Sequence, residues 1–179
     1  NTVDNTGRDM ALDFRIDAAM AGLETGDLDF AKRMVRAMPN PGHDKKDLAR
    51  TLIVQARLAE AQGQPEDAKI LYDQAEETGY PPVQAEARFR LADLKHRSGE
   101  MDDKGFAAEL EKLRMAWRGG ELELSVLRAL ANIRLRQGNI QAALELMRTV
   151  SLNFPHSDAA HVLAGRMSDV FANYFISGG

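Results

Sequence analysis

The chain has 179 residues, 44% hydrophobic and 28% charged, a balance that suits one compact domain or a short repeat array and excludes disordered, collagen-like and low-complexity classes. Lys and Arg number 23 against 27 Asp and Glu, a net charge of -4, so the basic footprint that nucleic-acid binding requires is missing. With no cysteine there are no disulfides, thiolate metal sites or cysteine nucleophiles, and no stretch approaches the ~18 apolar residues of a membrane span, so no nucleic acid and no direct membrane insertion are expected.

Ala, Leu, Arg, Glu and Met recur throughout, aromatics are only 6%, and no segment alternates apolar and polar residues with period two, which predicts helices and no sheet. In chain order a first hairpin is expected over 9–38, turning at Leu23-Glu24-Thr25-Gly26. A second, over 46–78, turns at Glu60-Ala61-Gln62-Gly63. The third, over 82–118, turns at His96-Arg97-Ser98-Gly99, and the fourth, over 120–154, turns at Leu135-Arg136-Gln137-Gly138. A final helix over 157–175 completes what reads as a single domain, 1–179. The chain begins at Asn1 and runs to Gly178-Gly179 just past the apolar Phe171, Tyr174, Phe175 and Ile176, which is expected of a fragment of a longer protein.

The four turn glycines are 37, 36 and 39 residues apart, a period that indicates a helical solenoid. Each can end a helix with positive φ. Asp27 and Asn139 are suited to cap the helices that follow, and Pro65 suits a first helical turn. Pro39-Asn40-Pro41-Gly42-His43-Asp44 and Tyr80-Pro81-Pro82 read as corners between hairpins. Small residues recur where antiparallel helices would cross: Ala19, Ala56, Ala92 and Ala131 seven residues before the glycines, and Ala31, Ala68 and Ala143 five after three of them.

This pattern resembles the tetratricopeptide repeat, over about Leu12 to Pro155, with Met147, Val150 and Pro155 extending the match in the fourth repeat. The resemblance implies an all-α right-handed superhelix (an α-solenoid) of helix-turn-helix repeats. The third repeat departs from it, with Lys104 where alanine belongs, although Phe106, Leu110, Leu113 and Trp117 still form an apolar helical stripe. The joint Asn153-Phe154-Pro155-His156-Ser157-Asp158-Ala159-Ala160 is similar to junctions in tetratricopeptide proteins of the bacterial envelope, and points to a periplasmic or exported location rather than the cytoplasm.

Chemistry is sparse. His43, His96, His156 and His161 have no metal-ligand spacing, no nucleophile elbow or phosphate-binding glycine loop occurs, and the acidic pairs Glu76-Glu77 and Asp102-Asp103 read as helix-start or outer-face residues. No cofactor, metal or catalytic residue is expected. What a repeat array offers is a concave face lined by the first helix of each hairpin, on which a protein or peptide segment can lie. The tetratricopeptide register places Arg50, Ile53 and Arg57 there in the second repeat, Phe89 and Asp93 in the third, and Arg128, Asn132 and Arg136 in the fourth. The last three follow i, i+4, i+8 and share one helical face. Asn132 is the sharpest candidate, since the family often carries a ligand-binding Asn at that position; hydrogen bonding within or between repeats accounts for it equally well.

The function expected is therefore a non-catalytic interaction scaffold for a protein or peptide of unknown identity. A structural spacer or self-association domain is the alternative, and a regulatory domain of an enzyme catalysing elsewhere comes third. The apolar residues near the end of the final helix read as a surface covered by a further repeat, or else as a partner site.

Overall fold

A computed structural model describes residues 2–176, leaving aside the side chains of 2–5, 159, 160 and 173–176. Asn1, Gly178 and Gly179, and the side chains of Tyr174, Phe175 and Ile176, lie outside what is described. Within the described residues there are nine α-helices and no strand: α1 (Thr2–Thr25), α2 (Leu28–Arg36), α3 (Lys45–Ala61), α4 (Pro65–Glu77), α5 (Pro81–Arg97), α6 (Asp103–Ala116), α7 (Gly120–Arg136), α8 (Ile140–Asn153) and α9 (Asp158–Ile176). They fall into two compact units, 1–95 and 96–179, a division inside the third of the expected hairpins.

In the first unit, α1 packs on α2, α3 on α4, and α1 and α2 on α3. Ile16 and Ala19 of α1, Ile53, Val54 and Ala56 of α3, Tyr72 and Ala75 of α4, and Ala87 and Leu91 of α5 share one buried cluster, which Met34 and Val35 of α2 flank. In the second unit α6 packs on α7, α7 on α8, and α8 on α9. Its core is built from Phe106 and Leu110 of α6, Leu127, Leu130 and Ile133 of α7, and Leu146, Met147 and Val150 of α8, each no more than 8% exposed.

The local chemistry that starts and stops these helices is the one read from the sequence. Gly63 and Gly138 take φ of 73° and 71°, a region that costs other residues steric strain, and so reverse the chain between α3 and α4 and between α7 and α8. Asp27 accepts from the Phe30 N–H at 2.9 Å and Asn139 from the Ala142 N–H at 3.2 Å, satisfying orphan donors at the starts of α2 and α8. Asp44, last residue of the Pro39–Asp44 corner, caps α3 through the N–H groups of Lys46 and Asp47. At the start of α7, Gly119 has no side chain to cap with, and buried Glu123 reaches back to its N–H instead.

The third repeat is the irregular one. Lys104 points to solvent and α6 buries Ala107 in addition to Phe106, Leu110 and Leu113, so the small residue in its buried face stands three places later than in the other second helices. Trp117 does not lengthen that stripe. Helix α6 ends at Ala116, and Trp117 sits beyond it in extended conformation (φ -131°, ψ 136°), only half-buried.

Candidate functional site

The first helices of the first unit, α1, α3 and α5, enclose a groove of about 320 Å³. Its apolar floor is Ile16, Met20, Ile53 and Val83, with Tyr80 and Pro82 at one end and Asp17, Lys46, Arg50 and Glu86 supplying charge. Two of the residues expected on the concave face, Arg50 and Ile53, line it directly. Ile53 is 5% exposed and therefore forms the floor rather than the rim.

The charges are arranged as pairs between neighbouring first helices. Arg50 of α3 donates to Asp13 of α1 and lies 3.4 Å from Asp17. Arg57, two turns further along the same face of α3, donates to the Met20 sulfur at 3.4 Å and lies 3.8 Å from Glu86 of α5. Arg90 of α5 stands 3.6 Å from Glu86 and 3.9 Å from Glu60, whose carboxylate accepts the hydroxyl of fully buried Tyr72 at 2.8 Å. Burial, and then the Glu60 charge, push the Tyr72 phenol above its ordinary 10.0, so it stays a neutral donor. At the edge of the groove, burial and then the like charges of Asp44, Asp9 and Asp13 raise the Asp47 carboxyl. Phe89 and Asp93 of α5 are half-buried.

The partners on α1 were legible from the repeat, had its register been carried into the first hairpin. Asp13, Arg50 and Glu86 each stand thirteen residues before the glycine of their repeat, and Met20, Arg57, Asp93 and Asn132 each stand six before. One register position thus alternates in sign, acidic then basic then acidic, along successive first helices. Lys46, in the first turn of α3, and Tyr80, in the corner before α5, carry no such signal.

In the second unit the expected stripe on α7 is divided among three circumstances. Arg128 is exposed and makes no ion pair among the described residues. Asn132 accepts through Oδ1 from Arg166 of α9 at 2.7 Å, which leaves its amide N–H groups as donors. Arg136 is held by Asp103 at the start of α6 through two bonds of 2.8 and 3.0 Å. His96 Nε2 meets the same carboxylate at 2.6 Å while its ring stacks on Phe106. The hydrogen bonds from Arg136 and then from His96 hold the Asp103 carboxyl far below the carboxylate range. Arg136 therefore ties α7 to α6. Among the described residues no cluster of three or more His, Asp or Glu is placed to hold a metal, and no helix is long and apolar enough to cross a membrane.

The tetratricopeptide-repeat profile matches residues 53–119 and 128–168, more than half of the chain. The chain belongs to the tetratricopeptide-repeat family. Among solved structures it is similar to that of a Podosopora anserina protein described as a kinesin light chain with nearly identical TPR-like repeats, at 17% identity and a TM-score of 0.61, over 89% of this chain and 85% of that one. That likeness shows the fold: an all-α helical-repeat solenoid. No curated protein sequence matches the chain. Tetratricopeptide repeats generally mediate protein–protein interaction, and their fold is typically a non-catalytic one.

Proposed function

We propose that this tetratricopeptide array is a non-catalytic scaffold that binds a protein or peptide segment on the face of its first helices, with the groove between α1, α3 and α5 as the primary contact. The observation that carries this reading is the groove's composition: an apolar floor of Ile16, Met20, Ile53 and Val83 beneath charges already paired helix to helix. Such a groove accepts an apolar side chain of an extended or helical segment, while Lys46 and Asp17 meet its backbone and polar groups. Arg50 and Arg57 hold the groove's shape, and in the second unit Arg128 and the open amide N–H groups of Asn132 are available to a segment bound on α7. The envelope-type joint at Asn153–Ala160 supports an exported, periplasmic setting for this interaction.

The test begins with segments selected from a displayed peptide library against the whole chain, followed by Met20→Glu. A charge placed on the floor should weaken the selected segment by at least about tenfold, while the melting temperature stays close to the parent's because Met20 is only partly buried. Unchanged affinity in Met20→Glu would remove the groove from the reading.

A further inference from the structure

The charge of the chain is not spread evenly over its two units. Residues 1–95 carry 13 Lys and Arg against 17 Asp and Glu, and residues 96–179 carry 10 against 10, so the whole net charge of -4 lies on the unit that holds the groove between α1, α3 and α5. Part of that excess stands at the groove itself. Asp9, Asp13 and Asp17 follow i, i+4, i+8 along one face of α1. Their field is felt at the start of α3, where the Asp47 carboxyl is raised by burial and then by the charges of Asp44, Asp9 and Asp13, with Lys46 opposing them least. Lys46, which lines the groove, stands there among Asp44, Lys45 and Asp47, charges that offset one another.

The pairs that brace the groove are also oriented. In each, the cation is the covered partner and the anion the open one: the Arg50 side chain is 22% exposed against 51% for Asp13 and 77% for Asp17, and that of Arg57 is 18% exposed against 30% for Glu86. A group arriving from solvent therefore meets carboxylates first. Arg50 moreover serves two carboxylates with one charge, and Asp17, at 3.4 Å from it, keeps most of its acceptor capacity unused while lining the groove.

We propose that the segment taken by the α1–α3–α5 groove is a basic one, with an apolar side chain seated on Ile16, Met20, Ile53 and Val83 and a lysine or arginine near it whose charge meets Asp17 at the rim. The inference rests on the groove being the contact surface, and adds which segments that surface selects. An acidic segment finds the arginines covered by the very carboxylates it would have to displace. A basic one needs no exchange, because Asp17 accepts its charged donor while Arg50 stays in place beneath, held by Asp13. Burial on the floor supplies most of the affinity, and the rim sets the sign of the charge that accompanies it.

The probes are peptides selected from a random displayed library against the whole chain, synthesised with a fluorescein label and titrated by anisotropy against the parent and three variants. Met20→Gln, which makes the floor polar without adding charge, sorts out the peptides that use the groove. Among these, lysine and arginine should be enriched near the apolar anchor, and Asp17→Asn should weaken binding at least about threefold at low salt and less as salt is raised, since a charge at an exposed rim is screened. Asp29→Asn, which removes the same charge from exposed α2 off the groove, should change nothing, and the melting temperature of Asp17→Asn should stay near the parent's because its side chain is mostly exposed. Groove-dependent peptides that are neutral or acidic, or that bind Asp17→Asn as well as the parent, overturn the proposal and leave the groove reading standing. Equal weakening by Asp29→Asn also overturns it, since the attraction would then belong to the unit as a whole. If no selected peptide depends on Met20, the groove reading itself fails and this inference falls with it.

Discussion

Gly165 of α9 stands 34 residues after Ala131 of α7, the same step that the hydrogen bond from Arg166 to Asn132 spans, so Ala131→Leu and Gly165→Leu place the same side chain at one register position, and the structure predicts opposite outcomes. Ala131 has no exposed surface, in a helix packed on α8, whose Ala143 is likewise fully buried. Three extra carbons there must push α7 and α8 apart or force their neighbours off rotamer, a cost of about 1–3 kcal/mol. Gly165 meets open space, so the substitution adds only helix propensity, a gain of about 0.5–1 kcal/mol over glycine in a helix interior. At about 2–4 °C per kcal/mol for a chain of this size, Ala131→Leu should melt about 2–12 °C lower and Gly165→Leu about 1–4 °C higher. Scanning calorimetry at several protein concentrations measures both and reveals any self-association that distorts the comparison. Equal destabilisation by the two leucines would refute the 34-residue register that equates them.

Tyr72→Phe should cost about 1–2 kcal/mol at neutral pH by removing a hydrogen bond to a charged partner, part of which water recovers because the Glu60 side chain is 20% exposed. The raised phenol also means that the stability it confers is present below its unfolded value near 10.0 and is lost as pH rises above it, so denaturant titrations of the parent should fall above that pH and those of Tyr72→Phe should not. Asp103 has the opposite sign: its lowered pKa gives stability present above the ordinary 3.8 and lost as pH falls toward the folded value, so Asp103→Asn should destabilise at pH near neutrality and progressively less in acid, by thermal melts. Asn132→Ala should weaken a segment bound on α7 by about 1–3 kcal/mol while lowering stability by under about 0.5 kcal/mol, because the Arg166 contact it loses is exposed; comparable losses in both would make Asn132 a link between α7 and α9 only.

Much of the fold was legible because its determinants are local and recur. A glycine able to adopt positive φ, a cap or proline one to three residues on, and alanines at fixed offsets mark the hairpins from within about thirty residues of sequence, and these are the features that Gly63, Asp27, Ala56 and Ala143 show in place. The third repeat was harder for a physical reason. Where Lys104 replaces alanine, the buried face of α6 is set by packing, which takes Ala107, and the helix ends before Trp117 because the chain turns extended there. The division at 95 and 96 left no mark, since it falls inside α5, just before a turn glycine that continues the series.

The site was only half legible, because the sequence displays charges but not their pairing. Read alone, Arg50, Arg57 and Arg136 look like donors awaiting a ligand carboxylate. In the structure the side chains of Arg50 and Arg57 are 22% and 18% exposed and engaged with Asp13 and Glu86, and Arg136 is held by Asp103. An acidic ligand approaching Arg50 must replace one carboxylate by another, an exchange that gains little beyond what the resident pair already supplies. Affinity at this groove therefore rests on what the paired charges surround: the apolar floor, which offers free energy through burial. The Asp13–Arg50 pair between α1 and α3 and the Arg57–Glu86 pair between α3 and α5 thus act first on the array itself, holding the spacing that makes a groove of side-chain width. Reversing one member, as in Arg50→Glu, sets a third carboxylate beside Asp13 and Asp17 and should open the spacing of α1 and α3, so a partner would be lost through the shape of the groove rather than through the missing positive charge.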